Sequence, residues 1–86
     1  MSDSVTEDQV RRTREVLNGA GWLFDEVVNS EMAKVLASDV SDREGREAAY
    51  MLATTAARLK LRLQGVVETY EYQLKLAEQK EARNGR

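Results

Sequence analysis

Between Ser41 and Arg83 the apolar positions recur at steps of three and four: Ala49, Leu52, Ala56, Leu59, Leu63, Val66, Tyr70, Leu74 and Ala77. This is the period of an α-helix that buries one stripe, close to the seam of a coiled coil. Ser41-Asp42-Arg43-Glu44 opens the stretch as a capping box, with a serine oxygen for the orphan amides and a glutamate reaching back. No proline interrupts the stretch. Gly45 and Gly65 each cost about 1 kcal/mol against alanine, but neither begins a stop pattern. The spacing predicts one long helix over residues 42–83, a rod of roughly 60 Å at 1.5 Å per residue.

Upstream the pattern is shorter and denser. Phe24, Val28, Met32 and Val35 make one helical ridge, with Leu23, Val27 and Leu36 beside it. A second helix is predicted over 22–37, and Trp22 and Phe24, the single tryptophan and the single phenylalanine, are expected to dominate its core by their apolar area. Ahead of it, Ser4-Val5-Thr6-Glu7 and Thr6-Glu7-Asp8-Gln9 both fit an N-terminal cap, and Val10 and Leu17 come next at helical spacing. That predicts a short helix over 6–18. Asn18-Gly19-Ala20-Gly21 places two glycines within three residues, which reads as a kink or a full turn. Residues 1–5 and 84–86 read as frayed.

The implied fold class is all-α. Ser38-Asp39-Val40-Ser41 is short enough to join antiparallel neighbours, so the second and third helices form a helical hairpin, coiled-coil-like, with the short N-terminal helix attached. In that hairpin the small residues of Ala48–Ala57 lie opposite the bulky end of the second helix. A helix of roughly 25 Å cannot cover one of roughly 60 Å. With a single domain of 86 residues, the core is expected to be completed by oligomerisation or by docking onto a larger assembly. The interface and core candidates are Trp22, Phe24, Val28, Met32, Leu52, Leu59, Leu63, Val66, Tyr70 and Leu74. Tyr70 and Tyr72 cannot both face one seam, so one tyrosine is expected outside it.

Composition narrows the chemistry. The chain has no cysteine and no histidine. Thiolate metal sites, disulfides and histidine-based nucleophilic triads are therefore absent. No phosphate-binding, dinucleotide-binding, zinc-protease or calcium-loop pattern occurs. The reading is of a protein that is not an enzyme, with no catalytic, cofactor-binding or metal-binding residue. No apolar run reaches the ~20 residues of a membrane span, and the N-terminus is not a signal peptide, so neither a membrane nor secretion is expected.

Net charge is −2, but it is polarised: residues 1–47 hold eleven acids and six bases, residues 48–86 four acids and seven bases. The simple consequence is that the two halves attract when folded antiparallel. Two sharper uses of charge stand beside it. Arg58, Lys60 and Arg62 could form a basic patch for nucleic acid, although long basic stems also cover apolar surface while their heads stay wet. Asp25, Glu26, Glu31, Asp39 and Asp42 could form the acidic tool of a small inhibitor that blocks a host protein.

Taken together, Leu17-Asn18, Trp22 and Phe24, an acidic and apolar helix, a serine- and aspartate-rich connection, and then Arg46, Tyr50, Leu52, Ala56, Leu59 and Leu63 resemble a group of small helical proteins encoded by tailed bacteriophages among or near their virion-structure genes. The resemblance spans about Val16 to Glu68 and is one of helix type and spacing. It implies a virion or assembly component, located in the particle or the host cytoplasm, without enzymatic activity. Protein partners, including further copies of the chain, are favoured over nucleic acid.

Overall fold

The computed structural model describes residues 4–84 and consists of two helices, α1 (Glu7–Ala37) and α2 (Arg43–Asn84), packed against each other as an antiparallel hairpin. The fraying expected at 1–3 and 85–86 lies outside the described residues. The molecule is a rod, 69 × 25 × 19 Å. Its thickness is that of two helices side by side, and no strand or third layer occurs among the described residues.

The expected short N-terminal helix is not a separate element. α1 runs unbroken through Asn18-Gly19-Ala20-Gly21, and no glycine among the described residues takes a positive φ. Each glycine costs only about 1 kcal/mol in a helix interior, and packing against α2 outweighs that. Gly21 is itself buried. Gly21 therefore lies within the contact face of one long helix, and Gly19 on its exposed side.

Local chemistry explains the helix ends. Thr6 caps α1 through a capping box: the Gln9 amide N–H donates to Thr6 Oγ1 at 3.1 Å, and the Thr6 N–H donates to Gln9 Oε1 at 2.9 Å. Glu7 and Asp8 sit in the first turn, where the helix dipole favours negative charge. At the other end, the Ser38 N–H and hydroxyl both donate to the Val35 carbonyl. The connection then turns on aspartates. The Ser41 N–H donates to Asp39 Oδ1, and the Asp42 N–H to the Asp39 carbonyl. The cap of α2 is Asp42 rather than the expected Ser41, because the Gly45 N–H donates to Asp42 Oδ1 at 3.1 Å.

Three polar ties set the register. At the open end, the Val5 N–H donates to Gln73 Oε1 at 2.8 Å and Gln73 Nε2 donates back to the Val5 carbonyl at 2.9 Å. Val5, expected to fray, is held. Midway, Lys60 Nζ lies 2.8 Å from both carboxylate oxygens of Asp25. At the tip, Arg46 Nη1 donates to the Asp39 carbonyl at 3.0 Å. α1 thus reaches along most of α2.

Candidate helix-docking surface

The seam is narrow and made of small side chains. Among the described residues Val10, Ala49 and Ala53 are the buried apolar ones, Val10 and Ala53 each only 2% exposed. Along α1 the seam row is Val10, Leu17, Phe24 and Glu31, seven residues apart. The matching row of α2 is Ala53, Lys60 and Val67. The sequence pattern places Ala49, Ala56, Leu63 and Tyr70 correctly against α1, but it pairs them with Leu52, Leu59 and Val66. The seam is instead completed by the neighbours one residue on. A rotation of that size separates adjacent rows of a helix at 100° per residue. The inward row Ala53–Lys60 is less apolar than Leu52–Leu59, so apolar content alone selects the wrong one.

The consequence is a surface rich in bulky apolar side chains. Leu52 is 54% exposed and Leu59 and Leu74 are similarly open. Trp22, assigned to the core by its size, stands 62% exposed, with its Nε1 donating to the Gly19 carbonyl at 3.1 Å. That bond ties the ring to its own helix. Phe24, Val28, Met32, Leu63, Val66 and Tyr70 are half-buried. Val16, Leu23, Leu61, Tyr72 and Leu76 are exposed as well, and Leu36 reaches 85% at the tip. As expected for the tyrosines, Tyr70 lies in the contact and Tyr72 outside it. Single exposed leucines are ordinary, but contiguous rows of them mark interaction surfaces.

The charged candidates do not gather. Lys60 turns inward to Asp25, whereas Arg58 and Arg62 lie on the outer rows of α2. The five acids are dispersed too. Asp25 holds Lys60, Asp39 and Asp42 hold the turn, and Glu26 is exposed elsewhere. Glu31 is 7% exposed, with Lys34 Nζ 2.8 Å from its carboxylate. It lies on the seam row as the buried charge among the described residues, paired from its own helix rather than offered to a partner. On α1, Asp8 also engages Arg11 and Arg12.

No group of acidic, histidine or cysteine side chains among the described residues is arranged to hold a metal ion. No helix there is long and apolar enough to cross a membrane. The arrangement offers apolar contact area on two rigid helices. No protein-family model matches the chain, and no curated protein or solved structure is significantly similar to it.

Proposed function

We propose that this chain is a non-enzymatic assembly protein that acts through helix–helix contacts with other protein subunits, in a bacteriophage particle or on the route to one. One observation carries the reading: the hairpin packs alanines inward and leaves Leu52, Leu59 and Leu74 outside. Leucine rows on rigid helices gain about 25 cal/mol per Å² of apolar area when another helix covers them. The phage setting rests on the resemblance over Val16–Glu68 alone. An inhibitor working through an acidic face is less well supported, because Asp25, Asp39 and Asp42 are engaged within the hairpin. Nucleic-acid binding loses Lys60 from its basic trio for the same reason.

Size-exclusion chromatography with light scattering, on the full chain at micromolar concentration, tests the first part. The expected result is a species larger than a monomer, or a stoichiometric complex with a protein of the same particle. A well-folded monomer at high concentration that binds no protein overturns the reading. Mass spectrometry of purified particles tests the setting, and absence of the chain from both particles and assembly intermediates removes it.

A further inference from the structure

In an antiparallel pair of right-handed helices, the positions just before each seam row turn to one side of the hairpin, and those just after turn to the other. The second side is recognisable from a groove of about 440 Å³ where Asp25, Val28 and Asn29 of α1 meet Ala57, Lys60 and Leu61 of α2. It carries charge. The first side is built from Val16, Leu23 and Val27 of α1 and Leu52, Leu59 and Val66 of α2. Its central rows hold no charged residue between Val16 and Ser30 on one helix, or between Ala49 and Val66 on the other. Glu26 and Arg62 stand one row further out, at its rim.

We infer that this apolar side joins two copies of the chain, stacked face to face as a four-helix bundle with α1 of each copy over α2 of the other. The inference rests on the assembly reading above and names its partner and surface. The face complements itself. The Val10–Tyr70 and Asp25–Lys60 contacts set Leu23 level with the turn around Leu59, so a two-fold axis along the hairpin seats Leu23 of one copy against Leu59 of the other. The same axis brings Val16 to Val66, and Val27 to the small Ala56. At the rim it brings Glu26 of one copy towards Arg62 of the other.

Charge favours this pairing over stacking like helix on like. α1 holds six acids and four bases, and α2 six acids and eight bases. Each interhelical contact across the dimer then joins helices of opposite net sign. A strongly charged foreign partner would find no counter-charge on the central rows. The area suffices: a strip about 25 Å long and two helix widths across buries on the order of 1,000 Å² over both copies, the lower bound for a specific interface.

The absence of cysteine allows a direct test. Chains carrying Leu23→Cys are mixed with chains carrying Leu59→Cys and oxidised. A disulfide between the two kinds of chain is expected, well above the self-linked product of either alone. In parallel, Leu59→Lys is expected to shift sedimentation from dimer to monomer with helicity retained, since Leu59 lies outside the seam. Leu61→Lys, on the charged side, is expected to leave the dimer intact. Absence of the mixed disulfide, or a dimer indifferent to Leu59→Lys, overturns the paired face. If the chain then self-associates otherwise, or binds a different protein through its leucines, the assembly reading stands without it. A folded monomer that binds nothing overturns both.

Discussion

Gly65 and Gly45 sit in the same helix and answer differently to the same change. A Cβ at Gly65 would meet nothing within 4 Å, whereas one at Gly45 would fall on the Asp42 carboxylate that caps α2. Gly65→Ala is therefore expected to stabilise the chain by up to about 1 kcal/mol, the helix-propensity difference. Gly45→Ala is expected to gain little, because displacing the cap costs about the same amount. Thermal denaturation of the two variants at one protein concentration checks the contrast. The seam gives a second contrast. Ala53→Leu forces bulk into a contact only a methyl wide and should destabilise by about 1–3 kcal/mol. Leu52→Ala, next to it and half exposed, should cost far less in a dilute monomer. An equal loss for both, measured by denaturant titration, would move the seam to the Leu52 row.

Among the elements, α1 and α2 are bound together by few strong terms. The Asp25–Lys60 pair has a carboxylate mostly in water, so its removal is expected to cost no more than about 1 kcal/mol. Gln73 acts locally. It holds both backbone groups of Val5, while the Thr6 capping box makes its own bonds. Gln73→Ala should speed amide exchange at Val5 and the first turn of α1, leaving the melting temperature nearly unchanged. Exchange that remains slow at Val5 would show that something other than Gln73 anchors that end. The glycine pair at 19 and 21 shows the opposite balance. Local cost predicts a break there, and the packing of a 31-residue helix overrides it.

The whole molecule is a two-helix layer with only three buried apolar residues among those described. Such an object has little interior against which to balance chain entropy. Association would supply the missing interior, so its unfolding midpoint is expected to rise with protein concentration, as mass action requires for any species whose folded form self-associates. Calorimetry over a hundredfold range of concentration measures this. A midpoint independent of concentration would argue that the hairpin is stable alone and that its exposed leucines serve another end.

The helical class, a cap for α1 within Ser4–Thr6, the antiparallel hairpin and the alanine face of α2 were all legible in the order of residues. Each depends on side chains within one or two turns, or on a connection too short to do otherwise. The excess of bulky apolar side chains over available cover was legible too, but not its cause: the 31-residue α1 removes most of the expected mismatch of lengths, and the excess comes from a layer only two helices thick. Contact between the helices was needed to carry α1 through its glycines and to run the seam along Ala53 and Lys60 rather than Leu52 and Leu59. The same contact left Trp22 outside and Glu31 inside. Periodicity reports that an apolar stripe exists but not which neighbouring row the other helix will choose. That choice belongs to close packing between two surfaces, where an alanine allows an approach that a leucine forbids.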